Sequence, residues 1–463
     1  MTSTRVLMGC YFYPRGGSAH AARALTRQLR ANDVEVTVLA GSRDDIGPVA
    51  QAERFFGPED LHVVDYTPAL GSERPTAFKN AAGSPPMHAS FEDRPGAQDT
   101  VFVCLDDDLF ELQVEAWARG LSKAGAAGAD VLYLNHLTPM NEAAARELGD
   151  IPVIGHIHGP ELLMLERIAE GAPASWLYAE EWRKRICRWG SECERLVVNT
   201  PQGGRRAAKL LGIDEERFAV IPNGFDPAFK PREVDRRALW RKHLVEEPQG
   251  WRPDERPGSV SYSEKDLDAL EGTTLLYSGR FTEVKRLPLL IEAYAKARVE
   301  FDQPTALVLL GGYPGEWEGE HPIETVERLG VPGVFLAGWH DHEELPDFLS
   351  ASDVLVHASV NEQFGQVLVE AMACGLPVVA VNRGGPASIV ENGETGWLVE
   401  PEDGVGMAAA MVEAVCGTEE RKRRGVAARE DALERYSWEG VGESLLGLLD
   451  EVKVASEVPA PVG

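Results

Sequence analysis

Positive charge is scarce in this chain. Its 463 residues carry 46 Lys+Arg against 74 Asp+Glu, a formal net charge of −28, and only 11 of the cations are lysine. Duplex nucleic acid is bound by neutralising phosphates, so this balance argues against a nucleic-acid partner. It leaves room for a small anionic ligand held by a few well-placed donors. Cysteine is sparse as well: Cys10, Cys104, Cys187, Cys193, Cys374 and Cys416 show no CxxC or zinc-ligand spacing. Buried free thiols and a reducing, cytoplasmic compartment are the expectation. No apolar run approaches the roughly 18–20 residues that span a bilayer, so no transmembrane segment is expected. Residues 1–13 run straight into a strand-like stretch and lack a signal-peptide cleavage pattern. No repeat of fixed period is visible, and the G-x-G-x-x-G fingerprint of dinucleotide sites is missing.

What is present is apolar material in alternation. Hydrophobic residues make up 44% of the chain, too many for a disordered acidic polymer. At roughly 150 residues per domain, two or three domains are expected. Strand patterns fall at residues 5–13, 34–40, 131–134, 153–157, 195–199 and 219–222, with a helical pattern at 19–30. A second series has strands at 275–279, 306–310, 334–337, 354–357 and 378–381, with helices at 287–298, 343–350 and 366–374. Near-continuous apolar strands suit parallel sheets covered on both faces. The fold class is therefore α/β, two doubly wound Rossmann-like units. Two stretches break the pattern. Residues 246–272 are polar and rich in Pro and Gly, and read as a linker or surface excursion. Residues 68–98 carry Pro75, Pro85, Pro86 and Pro95 and read as an inserted loop, either decoration or an acceptor-side loop.

The densest chemical signal runs from Asn361 to Ala380. Glu362 and Gly365 lie in a loop after a strand, a helix follows from Gln366, and Glu370 sits about one turn inside it. Free N–H groups at a helix start favour phosphate, and glycine lets a backbone approach closely. The two carboxylates suit hydroxyl groups, such as those of a sugar and a ribose. Upstream, Gly279-Arg280 and then Lys285 put two cations at the carboxyl end of a strand, where open α/β sheets bind ligands.

These segments resemble the retaining glycosyltransferases of GT-B fold, specifically the large family-4 group. Glu362 and Glu370 match that family's E-x7-E motif, and Gly279-Arg280 with Lys285 its G-R-x4-K element. Family members usually carry glycine after the lysine, where this chain has Arg286. The resemblance implies that Glu362 lies by the donor sugar and that Glu370 holds the nucleotide ribose. Backbone groups near Phe364, Gly365, Gln366 and Val367 would contact sugar hydroxyls and diphosphate. Arg280 and Lys285 would neutralise the leaving diphosphate. Phe335 to Trp339 resembles the strand and turn beside the nucleotide base, which brings in Gly338 and Trp339. Ile221-Pro222-Asn223-Gly224-Phe225-Asp226 resembles the family's junction segment and reads as a tight turn. Asn382-Arg383-Gly384-Gly385-Pro386 resembles a closing segment, either a structural turn or a further set of N–H groups aimed at the ligand.

The first half matches more loosely. Gly16-Gly17 resembles the Gly-rich loop that faces the diphosphate and acceptor, and His156-Ile157-His158-Gly159-Pro160-Glu161 resembles the family's H-G-x-[DE] segment. This makes His158 the expected active-site histidine and Glu161 its support, with His156 weaker and His136 a candidate for the acceptor cleft or a plain core residue. No metal is expected. The histidines lack further ligands at convincing spacing, no D-x-D element appears in the second half, and Asp106-Asp107-Asp108 opens a helix where acidic residues suit the dipole.

The expected organisation is an N-terminal acceptor domain over 1–225, a linker or insertion over 226–272, a nucleotide-sugar domain over 273–438, a crossover helix over 439–453 begun by Ser437 as N-cap and returning to the first domain, and a loose tail over 454–463. The two domains are expected to face each other across a cleft. The expected reaction moves a sugar from a nucleoside diphosphate to a hydroxyl acceptor (a sugar, a lipid-linked sugar or a small molecule), with retention, an α-linkage and no cofactor. A catalytically inactive sugar-nucleotide-binding scaffold, or a phosphate-using, phosphorylase-like relative, is the alternative.

Overall fold

The computed structural model describes residues 3–457, except 15, 46, 48–49, 71–84 and 93–98. The chain divides into two compact units, Met1–Pro222 with Trp438–Gly463, and Asn223–Ser437.

The first unit is built on seven parallel strands. These are β1 (Arg5–Cys10), β2 (Glu35–Ser42), β3 (Leu61–Asp65), β4 (Val131–Asn135), β5 (Val153–His156), β6 (Arg195–Val198) and β7 (Phe218–Val220). Their order is β3-β2-β1-β4-β5-β6-β7. The central strands are apolar on both faces because helices cover both. Leu7, Leu39, Leu132 and Leu134 enter one core, and Val6, Met8, Val36, Val131 and Tyr133 enter the other. The helix α1 (Gly16–Ala31) follows β1 and packs Leu25 and Leu29 into the second of these cores. The edge strand β3 has no counterpart in the strand patterns above. It is only partly buried, so its sequence lacks a continuous apolar run.

The second unit holds six parallel strands in the order β10-β9-β8-β11-β12-β13. They are β8 (Thr273–Gly279), β9 (Thr305–Gly311), β10 (Val334–Gly338), β11 (Val354–His357), β12 (Val378–Val381) and β13 (Gly396–Val399). The helices α2 (Leu287–Ala297) and α3 (Gln366–Ala373) connect strands here. In each sheet the strand order reverses once, between β1 and β4 and between β8 and β11. Ligands of open α/β sheets bind beyond the carboxyl ends of the strands at such points.

Three expectations need correction. The stretch at 226–272 is not a linker. Trp240, Leu244, Leu267 and Leu270 belong to the core of the second unit. Trp251 is 1% exposed and donates its indole N–H to Gly312 O at 3.0 Å. Tyr262 Oη accepts the Leu336 N–H at 2.7 Å, and Gln249 bridges to Gly338. The segment thus covers the edge strand β10, whose free backbone groups would otherwise be open to pairing. The excursion at 68–98 is also not wholly decoration. Residues 71–84 and 93–98 lie outside the described residues, but Met87, Ala89 and Phe91 are buried in the first unit's core. Gln113 Nε2 donates to Met87 O at 2.6 Å. The expected tail is helical at its start: α4 (Trp438–Glu457) runs past residue 454, and 458–463 lie outside the described residues. This last helix belongs to the first unit, where Val441, Leu445, Leu449 and Val452 join the core lined by α1.

Candidate active site

In the second unit, the carboxyl ends of β8 and β11 bring Lys285 and Glu362 together. Arg280 follows β8. Its guanidinium is exposed and carries no hydrogen bond or ion pair among the described residues. Lys285 closes a short 3-10 turn, Glu283–Lys285. The next residue, Arg286, adopts φ 53° and ψ 40°, the left-handed region that favours glycine. This accounts for the glycine usual there in the family. Here the strain is met by pairing, since Arg286 Nε donates to Glu402 Oε1 at 2.8 Å and Nη1 to Glu283 O at 3.2 Å.

Lys285 Nζ forms a direct ion pair with Glu362 Oε2. His357, the last residue of β11, places Nε2 3.2 Å from the same oxygen. Burial alone would raise the Glu362 pKa. The His357 hydrogen bond and the Lys285 charge outweigh it and hold the carboxyl at about 2. Glu362 is therefore a carboxylate at any working pH.

The Glu362 loop leads into α3 through Gly365, at φ 106° and ψ 55°. The N–H groups of Gln366 and Val367 open that helix, where no intrahelical acceptor exists for them. Phe364 is buried against Tyr436, with ring centroids 5.9 Å apart. Gln366 Nε2 donates to Gly224 O at 2.9 Å and so ties the Asn223-Gly224 turn to the loop. Gly384 and Gly385 open the short helix Gly384–Ile389. Gly385 N–H donates to Glu362 O at 2.8 Å, and a Cβ there would lie 1.7 Å from Phe364 O.

Glu370 is 3% exposed and accepts a hydrogen bond at Oε1 from His342 Nε2, at 2.9 Å. The His342 ring rests on Phe229 and its pKa is raised, first by that hydrogen bond. Gly338 serves the fold, because a Cβ there would lie 2.1 Å from Gln249 O. Trp339 is 44% exposed and meets the exposed Tyr313 edge-on at 5.6 Å. The sequence alone does not single out His357, His342 or Tyr313. Their partners are distant along the chain or at no motif spacing, and nothing short of the fold pairs them.

In the first unit, α1 begins at Gly16, with φ 69°, and space is open around both Gly16 and Gly17. In the same unit, β4 and β5 lead into a histidine cluster. His158 Nε2 lies 2.9 Å from Asn135 Oδ1, while Asn135 Nδ2 donates to Gly9 O at 3.0 Å. The proton of His158 is thus on Nε2, leaving Nδ1 as an acceptor. Burial first, then the neighbouring His156 and His136, push its pKa well below 6.5. His156 spends both ring nitrogens, on Tyr133 Oη at 2.9 Å and Asn199 Oδ1 at 3.0 Å, so it braces the site. It also stacks on His158 at 3.9 Å. Glu161 is fully buried and accepts from His136 Nδ1 at 3.1 Å and Gly159 N–H at 3.0 Å. Burial opposes its charge, but His136 and the backbone N–H groups of Glu161 and His158 hold its pKa below the ordinary value. Asp106 caps the helix Asp107–Lys123 by accepting from Leu109 N–H at 2.9 Å. Among the described residues no group of three His, Cys, Asp or Glu side chains is arranged to hold a metal.

Two doubly wound units, with a cation pair and a glutamate pair at the switch point of the second, define a glycosyltransferase of the GT-B class. Residues 15–229 match the family described as Glycosyltransferase Family 4, and residues 262–431 match Glycosyl transferases group 1. The chain belongs to this family. It is 28% identical over 418 residues to a D-inositol 3-phosphate glycosyltransferase of Stackebrandtia nassauensis, covering 86% of this chain and 84% of that protein. It is 32% identical over 317 residues to the N-acetyl-alpha-D-glucosaminyl L-malate synthase of Bacillus anthracis, covering 67% and 72%. Among solved structures, Anabaena HepE in complex with UDP and glucose aligns with a TM-score of 0.64 at 17% identity, over 97% of this chain and 100% of that one. That last likeness concerns the fold.

Proposed function

We propose that this glycosyltransferase takes its sugar from a nucleoside diphosphate and passes it, with retention and without a metal, to a hydroxyl of a small acceptor, forming an α-linkage. The observation that carries the reading is the set of groups on the β8 and β11 ends. Arg280 and Lys285 offer positive charge where a diphosphate would depart, and α3 opens beside them with free N–H groups. Lys285 has three donor protons, so its bond to Glu362 leaves two for phosphate. Glu362 accepts a hydroxyl of the donor sugar, and Glu370 accepts from the ribose in place of His342.

In the proposed step, the bond between the anomeric carbon and the diphosphate oxygen breaks as the acceptor oxygen bonds to that carbon from the same face. The acceptor proton passes to the departing phosphate oxygen. The first unit binds the acceptor, and His158 offers Nδ1 to a sugar hydroxyl. The names of the two relatives specify an inositol phosphate and L-malate, which supports a small, acid-bearing hydroxyl compound as acceptor. All six cysteines are free thiols, which supports a cytoplasmic setting. No helix among the described residues is long and apolar enough to cross a membrane.

The test is nucleotide release from a panel of uridine-, guanosine-, adenosine- and thymidine-diphosphate sugars, with and without EDTA. Release from one donor that survives EDTA and disappears in Glu370→Ala supports the reading. No release from any donor contradicts it.

A further inference from the structure

One buried polar group in the second unit has no evident structural reason to be polar. His357 ends β11 with its ring sealed from solvent. Its strand neighbours Val354, Leu355 and Val356 are all apolar. Its Nδ1 is buried and has no hydrogen-bond partner among the described residues. A buried, unpaired ring nitrogen costs stability that an apolar residue of similar size would not. Such an exception in a native fold calls for a functional account.

The other nitrogen supplies one. Glu362 is a carboxylate and can only accept, so the ring proton is on Nε2 and donates to Oε2. Lys285 donates to that same oxygen. Two donors thus converge on Oε2, while Oε1 carries no hydrogen bond among the described residues. The Tyr277 ring lies parallel to the His357 ring at 6.1 Å, and its hydroxyl donates to Arg280 O at 2.7 Å. One side chain therefore braces both the imidazole and the turn that carries Arg280.

We propose that His357 is a positioning residue, whose Nε2–H pins Oε2 of Glu362 so that Oε1 is presented to a hydroxyl of the donor sugar. This rests on the donor reading above. The division of labour between the two donors follows from their chemistry. As charge builds on the departing phosphate, Lys285 is drawn toward it and its hold on Glu362 weakens. The imidazole is fixed in the core and keeps the carboxylate in place through that step. A carboxylate that drifts by about 1 Å loses on the order of 100-fold in rate.

The experiment compares His357→Gln, which keeps an N–H donor near the Nε2 position, with His357→Leu, which keeps the volume and removes the donor. Donor turnover, affinity for the free nucleoside diphosphate and melting temperature are measured for both and for the wild type. His357→Leu is expected to lower kcat by roughly 10- to 100-fold, with nucleotide affinity unchanged and a melting temperature no lower than wild type. His357→Gln is expected to recover most of kcat. Wild-type kcat in His357→Leu, or equal losses in the two variants, overturns the inference alone. A wild type that turns over no donor overturns the donor reading, and the inference with it.

Discussion

Lys285 and Glu362 are joined as an ion pair across the ends of two neighbouring strands, β8 and β11. The pair sits where the strand order reverses, so the site holds a carboxylate and one of its cations in contact. Arg280, five residues earlier at the end of β8, stays exposed and unpaired among the described residues. The three side chains therefore divide into a poised pair and a free cation.

That free cation gives the first prediction. Arg280→Ala removes the cation that the proposed reaction places at the departing diphosphate, and it leaves no buried partner behind. Donor turnover should fall by about 100-fold or more, while the melting temperature stays near wild type. Steady-state nucleotide release, together with a thermal melt, checks both halves.

Glu370 and His342 supply a second. Glu370→Ala should weaken free nucleotide binding, read by calorimetry or a ligand-induced melting shift. The pair also has a pH signature. The pKa of His342 is raised in the folded chain, so its contribution to stability is fully present below about 6.5. It is lost as pH rises through the folded value. His342→Asn should remove that part of the decline in melting temperature with pH.

The first unit's histidines act in the opposite sense. The pKa of His156 is lowered to about 4 by burial, and that of His158 is also lowered well below 6.5. Both rings bind protons more readily when unfolded, so their contribution is present above about 6.5 and is lost as pH falls toward 4. Melting temperatures between pH 7 and pH 4 should fall steadily, with net proton uptake on unfolding near pH 5.

Trp251 tests the segment that covers β10. Its indole is buried against Phe281 and His321 and hydrogen-bonded to Gly312 O. Trp251→Ala should cost about 3–5 kcal/mol in denaturant unfolding of the second unit. A surface linker would lose almost nothing.

That same segment shows where sequence reading stops. The central apolar strands of both sheets were legible because parallel strands buried on two faces have no polar alternation to hide them, whereas the edge strand β13 was not recognised. The Glu362–Glu370 and Arg280–Lys285 elements were legible because each lies in one short segment at a fixed spacing. Residues 246–272 looked like a linker because their polar, Pro/Gly-rich composition conceals a few anchors, Trp251 and Tyr262 among them, whose partners are far away in the chain. The edge strand β3 was hidden by partial exposure. His342 meets Glu370 from 28 residues away, and His357 meets Glu362 only because the β11 loop turns back on its own strand. Such contacts are made by tertiary folding and leave no periodic trace.

The most direct test of the account is steady-state nucleotide release from single nucleoside-diphosphate sugars by the wild type and by Glu362→Gln, a change that keeps the shape and removes the charge. The account predicts steady release by the wild type, undiminished by EDTA, and a fall of about 100-fold or more in Glu362→Gln with the nucleotide still bound. Release by both proteins at the same rate would contradict it.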